Sequence, residues 1–209
     1  MKRQGFIAFG LACCMVSGVT QANNLLVNSD FSGGLAGWTV TSNSLTATAT
    51  YDGAIGSPGN GSAKLSTPVG DLPTAKITLS QCVAIAAQGI DFRGRYRTDQ
   101  STGGAYASFG FQAFNALGCS GTVLLNTAPS STVYPPGWTE NQFNNFPLPA
   151  GTQSVLISAS FVKGDPASFA PVAHFDHILL GPTGTTPVEL QSFNVDYRGI
   201  LTKTWTTRR

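Results

Sequence analysis

The chain has 209 residues, of which only 11% are charged, and a formal net charge of +2. Its length favours a single domain of ordinary size. Lys2 and Arg3 belong to a predicted N-terminal leader, and the rest of the chain is close to neutral, which gives no argument for nucleic-acid binding. The 24 Gly and 12 Pro suit an exported β-rich protein better than a helical cytosolic enzyme.

The N-terminal residues 1–22 have the organisation of a signal peptide. Lys2 and Arg3 are followed by a largely apolar segment, Phe6–Val19, and the small residue Ala22 precedes the predicted cleavage site. The apolar segment is too short to span a membrane comfortably, so we expect a secreted or periplasmic protein. A lipoprotein is the alternative, because Leu11–Cys14 loosely resembles the sequence at which lipoproteins are modified.

Two cysteines, Cys82 and Cys119, remain once the leader is removed. A single pair in an oxidising compartment predicts a disulfide. Metal ligation and a catalytic thiol are the alternatives, but the chain has no CxxC motif, and its two His lie far from both cysteines in the sequence.

The predicted domain begins with Asn24–Val40, which we interpret as a short apolar strand, a polar turn carrying Asp30, a glycine-rich bend and a second strand that opens at Trp38. Further on, short stretches alternate between apolar and polar residues and are bounded by Gly and Pro, which predicts strands. These strands cover 45–51, 62–66, 75–87, 90–97, 105–115, 122–125, 155–162 and 173–180. Another strand is expected after Trp138, followed by an Asn-rich loop before the turn at 147–151.

No stretch shows sustained helical periodicity with capping residues. Many short strands joined by Gly- and Pro-containing turns predict an all-β fold, a β-sandwich of two antiparallel sheets. We expect this domain to cover residues 23–181, followed by a linker and a poorly ordered tail at 182–209.

Three motifs together resemble the carbohydrate-binding modules of the four/nine group, which are jelly-roll, galactose-binding-like domains appended to bacterial glycanases. They are NLLVNSDFSGGLAGWTV at Asn24–Val40, GWT at Gly137–Thr139 and HFDHILL at His174–Leu180. The resemblance implies a jelly roll that binds a polysaccharide or glycan without catalysis. A structural or surface-interaction protein with no sugar ligand is the alternative.

The resemblance also implies a structural Ca²⁺ where the two ends of the domain meet, with Asp30 and Asp176 at the matching positions. Ser32 stands where the family often has Glu, and His177 stands where the second Asp of a pair usually lies. These two departures remove carboxylates from the implied site.

A physical argument also points to Asp176, because alternation places it on the predicted core face with Ile178 and Leu180. A carboxylate at the edge of a core needs a cation or several hydrogen-bond donors, and Ca²⁺ accepts carboxylate and carbonyl oxygens. The alternative is that Asp30 caps its own turn and that Asp176 accepts bonds from backbone N–H groups.

Proteins hold sugars with stacked aromatic rings and planar polar side chains, which predicts a binding face in this chain. One strand presents Arg93, Arg95 and Arg97 outward, and another presents Tyr106, Ser108 and Gln112; Ser158 and Ser160 are expected to extend the same concave face. We predict ligand contacts at Arg95, Tyr106 and Gln112. The alternative is a solvated face, and packing is the expected role of Trp38 and Trp138.

Few residues are suited to catalysis. A glycosidase needs two carboxylates at a defined separation, but after the leader the only Glu residues are Glu140 and Glu189, and no two Asp residues form a recognisable pair. The chain has no GxSxG, phosphate-loop or dinucleotide-binding motif. We therefore predict that the protein is not an enzyme.

Overall fold

The structure is a computed structural model. It describes residues 24–86, 88–99, 104–127, 137–164 and 170–184, together with the strand residues 194–195 and 201–202. The predicted leader, and the predicted tail beyond 184 apart from those four residues, lie outside the described residues. Within the described part of the chain, no helix is long and apolar enough to cross a membrane.

The described chain is built from strands, whose bounds in chain order are β1 Thr39–Ser42, β2 Thr48–Asp52, β3 Ser62–Ser66, β4 Lys76–Ala84, β5 Gly89–Thr98, β6 Tyr106–Phe114, β7 Val123–Asn126, β8 Thr139–Pro147, β9 Ser154–Val162, β10 Val172–Pro182, β11 Asn194–Val195 and β12 Leu201–Thr202. Sheet A has the spatial order β1-β4-β9-β6-β7, and sheet B has the order β2-β3-β10-β5-β8. All of their pairings are antiparallel. The predicted two-sheet antiparallel β-sandwich is therefore confirmed.

Aromatic side chains from both sheets fill the middle of the sandwich. Phe109 of β6 lies with its ring centroid 5.1 Å from Phe92, 6.0 Å from Tyr96 and 5.4 Å from Phe175. All three contacts are edge-to-face, an arrangement that adds to the stabilisation from burial alone. Gly94 leaves room for this cluster, because a Cβ atom there would lie 2.6 Å from Phe109 Cζ.

The disulfide between Cys82 and Cys119 is confirmed, with the two Cα atoms 5.9 Å apart. Cys82 points out of sheet A, and Cys119 lies in the loop between β6 and β7. The bond therefore fixes this loop to the outer side of β4, across strands that are not neighbours in the sheet.

The N-terminal segment differs from its predicted strand. Residues 26–37 form bends and turns, and the first strand begins only at Thr39. The segment runs beside the end of β10, where Leu25 N donates to Leu180 O (2.8 Å) and the Asn24 side chain bonds both Ile178 O and Leu180 N. Side-chain bonds of this kind, which apolar patterning does not report, hold the segment in place. Trp38 is buried, so its predicted packing role is confirmed.

The predicted Asn-rich loop is also wrong, because residues 139–147 form the continuous strand β8 beside β5. Phe143 and Phe146 from this strand pack against the core, while Gln142 and Asn144 are exposed. β8 is an edge strand of sheet B, where polar residues are tolerated on the exposed side.

The position of Asp176 differs from the prediction that it shares the core face with Ile178 and Leu180. The register of β10 against β5 shifts between Asp176 and Leu179, and His177 has a φ of 48°. This β-bulge changes the phase of the strand. Asp176 is paired opposite Arg95 on the outer face of sheet B, while Ile178 and Leu180 remain in the core.

Candidate functional site

The predicted ligand residues do not share one face. Arg95 lies on β5 in sheet B, whereas Tyr106 and Gln112 lie on β6 in sheet A. The two sheets pack through their inner faces, so the outward side chains of β5 and β6 point to opposite sides of the sandwich. The prediction of one concave face is therefore wrong. Alternation along a strand shows which residues point outward, but it does not show which sheet the strand joins.

The outer face of sheet A carries short hydroxyl side chains. Thr78 and Ser160 bond each other at 2.9 Å, and Ser158 Oγ donates to Gly110 O at 3.2 Å. Ser108 is buried, and its Oγ has no hydrogen-bond partner among the described residues. Of the predicted face, Ser108 and Ser160 are thus withdrawn from solvent.

Tyr106 and Gln112 lie at opposite ends of this face. They are half-buried, and six residue steps along a strand separate them by roughly 20 Å. The Gln112 side chain lies 3.4 Å from Asn126 Oδ1 on the neighbouring strand. Their part in ligand binding stays a prediction.

The outer face of sheet B carries charges in place of hydroxyls. The Glu140 carboxylate on β8 forms salt bridges with two arginines. Arg93 Nε lies 3.2 Å from Oε1, and Arg95 Nε lies 3.1 Å from Oε2. Arg97 pairs with Asp99 at 2.8 Å. The predicted outward arginine row is present, but its guanidinium groups are already bound to carboxylates of the same face.

His174 lies within this charged face in a network that the sequence pattern did not reveal. Its Nδ1 is 3.1 Å from Ser62 Oγ, and its Nε2 is 3.2 Å from Asp99 Oδ2. These are the residue types of a hydrolase triad, but Ser62 and His174 are both 0% exposed, so no substrate reaches the hydroxyl. Burial lowers the pKa of His174, against the opposing effect of Asp99. The partners lie 112 and 75 positions away in the chain, and no local motif joins them.

A pocket of about 410 Å³ opens at the end of the sandwich where β10 bulges. We call it the loop-end pocket. It is formed by three segments: the N-terminal turn, the loop before β3 and the bulge itself. Its lining residues are Ser29, Asp30, Ser32, Pro58, Gly59, Asn60, Gly61, Asp176 and His177. The pocket thus gathers two carboxylates, an amide, an imidazole and hydroxyls, and it brings together both predicted calcium ligands.

Asp176 is the buried carboxylate of this pocket, only 3% exposed. Its oxygens accept bonds from Ser57 N at 2.6 Å and His177 N at 2.7 Å. Burial raises its pKa to about 6, and the negative charge of Asp30 adds to this, while the two N–H bonds and Arg95 act in the opposite direction. A strongly shifted carboxylate in a pocket is a feature of functional sites.

Asp30 is the exposed carboxylate of the pocket. Its Oδ1 accepts bonds from Ser32 N (3.2 Å) and Ser32 Oγ (3.0 Å), which closes a tight turn. Burial acts to raise its pKa, but the bonds from Ser32 together hold the pKa below the ordinary value. The hydrogen bonds anticipated in the alternative to calcium binding are therefore present, for Asp30 as for Asp176.

The donor set of the pocket meets part of what Ca²⁺ requires. Ca²⁺ takes six to eight oxygens, from carboxylates, carbonyls and water. Burial disfavours the charge of Asp176, and the two backbone N–H bonds and Arg95 offset this effect only in part. No group of three or more His, Cys, Asp or Glu suited to a metal occurs among the described residues. Two carboxylates therefore fit a cation held largely by neutral oxygens.

No family model matches the sequence, and no curated protein sequence matches it either. Solved structures do match the fold. The module TmCBM61, solved with β-1,4-galactotriose, is 15% identical with a TM-score of 0.53, covering 77% of this chain and 99% of the module. The family 22 carbohydrate-binding module of Clostridium thermocellum Xyn10B is 13% identical with a TM-score of 0.53, covering 79% of this chain and 99% of the module.

The enzymatically active domain of tailspike protein 4 from bacteriophage CBA120 is also similar, at 12% identity and a TM-score of 0.57. The match covers 76% of this chain but only 21% of the tailspike domain, so the chain spans about a fifth of that protein's length. The fold of this chain is thus the β-sandwich that carbohydrate-binding modules have, as the resemblance predicted.

Proposed function

We propose that the protein is a secreted or periplasmic, non-catalytic module that binds carbohydrate in the loop-end pocket. The observation that carries the proposal is this pocket, placed at one end of a sandwich with the fold of carbohydrate-binding modules. A concave site with convergent polar groups and a pKa-shifted residue is where a ligand is expected.

The chemistry of the pocket lining supports a sugar ligand. Sugar hydroxyls both donate and accept hydrogen bonds, so they need partners of both kinds. Asn60 supplies an amide that does both, His177 supplies an imidazole, and Asp30 has one carboxylate oxygen, Oδ2, outside the turn bonds described above. Pro58 adds an apolar surface for C–H groups. A pocket of about 410 Å³ also falls in the size range of small-ligand sites.

Two further observations support a non-catalytic role. Glu140 is held between two arginines, away from the carboxylates of the pocket. In the Ser62–His174–Asp99 network, the serine hydroxyl and the imidazole are buried. Neither set offers the exposed acid and base that glycoside hydrolysis needs.

We also propose that Ca²⁺ binds between Asp30 and Asp176. Its positive charge would offset the cost of ionising the buried Asp176, and it would hold the N-terminal turn against the bulge of β10. A rise in melting temperature with added Ca²⁺, reversed by EDTA and absent in Asp30→Asn, is the expected result. A melting temperature indifferent to both additions would contradict the calcium site.

The sugar proposal is tested by titrating the protein with β-1,4-galactan, xylan, β-glucans and bacterial polysaccharides, with Ca²⁺ and with EDTA. We compare Asn60→Ala/His177→Asn with Tyr106→Ala/Gln112→Ala, and we measure Arg95→Ala separately because Arg95 bonds Ser57 beside the pocket and acts on the pKa of Asp176. Asn is used at position 177 because it tolerates the left-handed backbone there. The pocket variant is expected to lose at least tenfold in affinity, and Tyr106→Ala/Gln112→Ala is expected to keep it.

The reverse pattern would move the site to the sequence-predicted residues Tyr106 and Gln112. Binding to none of these glycans would contradict carbohydrate recognition and favour a structural or surface-interaction role. A circular-dichroism melt of each variant serves as the control for folding.

A further inference from the structure

We propose that Asn60 is a site of spontaneous deamidation, which adds a carboxylate to the loop-end pocket. Asn60 is the one Asn in the chain that is followed by Gly. Deamidation begins when the following backbone nitrogen attacks the side-chain amide carbon, and a glycine in that position obstructs the attack least. The asparagine must also be exposed, and its amide must be free to move.

The structure meets these requirements at Asn60. The residue is exposed in the loop between β2 and β3, so water reaches its side chain. Its side chain makes no hydrogen bond to the described residues, and the Gly61 amide nitrogen has no acceptor among them. Neither reacting group is therefore held back by a competing bond within the described structure.

The fold favours the reactive Asn60–Gly61 sequence, because only glycine fits at position 61. Gly61 has a φ of 113°, and a Cβ atom there would lie 2.5 Å from the Tyr51 hydroxyl oxygen. Backbone strain and this clash exclude other residues. The structure thus requires the glycine that makes Asn60 labile, and only a change at position 60 itself removes the lability.

Other asparagines provide contrasts within the same chain. Asn43 precedes a serine, another small residue, but its Nδ2 donates to Thr74 O at 3.1 Å and its Oδ1 accepts from Lys76 N at 2.7 Å. The Asn28 side chain is held in the same way by Gly33 and Gly34. These bonds restrain both amides, so both residues should persist while Asn60 reacts.

The step is balanced without any cofactor. Gly61 N forms a bond to Asn60 Cγ and loses its proton to solvent. The side-chain amide nitrogen takes up a proton and leaves as ammonia, which closes a succinimide ring. Water then opens the succinimide ring at either carbonyl, which gives an aspartyl or an isoaspartyl residue. The product places a third carboxylate in a pocket that already contains Asp30 and Asp176, so its affinity for a divalent cation should rise.

The test ages the purified full chain at mildly alkaline pH and maps the modified positions by peptide mass spectrometry. A synthetic peptide covering residues 55–65 sets the intrinsic rate. Modification is expected first at position 60, at least tenfold faster than at Asn43. The more acidic species that accumulates should disappear in Asn60→Gln and persist in Asn43→Gln. An intact Asn60 under conditions that modify the peptide would overturn the proposal.

A second arm measures cation binding and rests on the proposed calcium site. Asn60→Asp is expected to bind Ca²⁺ several-fold more tightly than the unmodified protein, detected by calorimetry and by a larger shift in melting temperature. Equal or weaker binding would overturn this consequence, while the mass measurement would still stand for the modification. A protein that binds no Ca²⁺ in either form would overturn the calcium site separately.

Discussion

Sheets A and B share one core but carry different chemistry on their outer faces. Sheet A presents short hydroxyl groups that bond to each other or to backbone carbonyls, as Thr78 and Ser160 do. Sheet B presents arginines, carboxylates and the buried His174 and Asp176. Neutral hydroxyl pairs do not respond to pH or salt, whereas titratable groups respond to pH and partly exposed ion pairs respond to salt. We therefore expect pH and salt to change the stability of the protein chiefly through the side chains of sheet B.

The largest expected effect comes from the disulfide on the sheet A side. Cys82→Ser/Cys119→Ser releases a loop with a sequence separation of 37, and the free energy of unfolding should fall by about 4 kcal/mol. Urea denaturation of the oxidised protein, of the reduced protein and of the variant measures this loss. Equal stability of all three would show that the pairing of β4 with β9 holds the sheet without the bond.

The second effect lies in sheet B and depends on pH. The folded pKa of Asp176 is raised to about 6. Asp176 therefore contributes its full amount to the free energy of unfolding below its unfolded pKa of about 3.9, and this contribution is lost as the pH rises through about 6. The loss is on the order of 3 kcal/mol. His174 acts oppositely: its pKa is lowered by burial, so its contribution is present above about pH 6.5 and is lost on acidification.

These opposite signs can be separated with Asp176→Asn. In EDTA, acidification from about pH 7 to about pH 5 should raise the stability contributed by Asp176 in the native sequence. In the variant only the opposing effect of His174 is left at these two positions, so the same acidification should lower the free energy of unfolding. Urea titrations at both pH values measure the slopes. Identical slopes for the two proteins would contradict the raised pKa of Asp176.

The third effect concerns the core that both sheets share. Gly94→Ala places a methyl group 2.6 Å from Phe109 Cζ, and overpacking of this kind costs about 1–3 kcal/mol. Gly59→Ala is the matched control, because its Cβ would meet no atom within 4 Å. Thermal unfolding should show a lower melting temperature for the first variant only. A comparable fall in melting temperature in both variants would show that the loss of glycine in the backbone, and not the contact with Phe109, causes the destabilisation.

The smallest effect concerns the ion pairs of sheet B. Glu140→Gln removes the carboxylate that Arg93 and Arg95 share. The pairs are partly exposed, and the expected loss is below about 1 kcal/mol and shrinks as salt screens the charges. Thr78→Val on sheet A serves as the comparison and should give a change independent of salt. A salt-dependent change in Thr78→Val would break the contrast between the two faces.

Much of the fold could be predicted from the sequence because alternation is a local property. Burial of Phe92 and Tyr96 on β5 and of Phe109 and Phe111 on β6 follows the period-two pattern. The disulfide followed from the single cysteine pair that remains after the predicted leader, together with the oxidising compartment that the leader implies. β8 was missed in its second half because its Asn residues resemble a loop, although Phe143 and Phe146 in the same stretch indicate a buried side.

The candidate site was harder to predict because it depends on pairing between distant strands. Arg95 and Tyr106 were assigned to one face, although their strands belong to different sheets. Asp30 and Asp176 were joined only through the resemblance to a family, and the structure places both in one pocket. The loop carrying Asn60 completes that pocket from a third part of the chain, and nothing in its local sequence indicated this.

The bulge at His177 allows an acidic residue, Asp176, to lie on the outer face although a core residue, Ile178, follows it two positions later. In uninterrupted alternation, a residue two positions before Ile178 would share its side, and a carboxylate there would enter the core. One residue in the left-handed region moves Asp176 to the opposite side and leaves the apolar sequence after it unchanged. An acidic group can therefore be gained or lost at the pocket without any repacking of the interior, which leaves the chemistry of this end free to diverge while the sandwich stays the same.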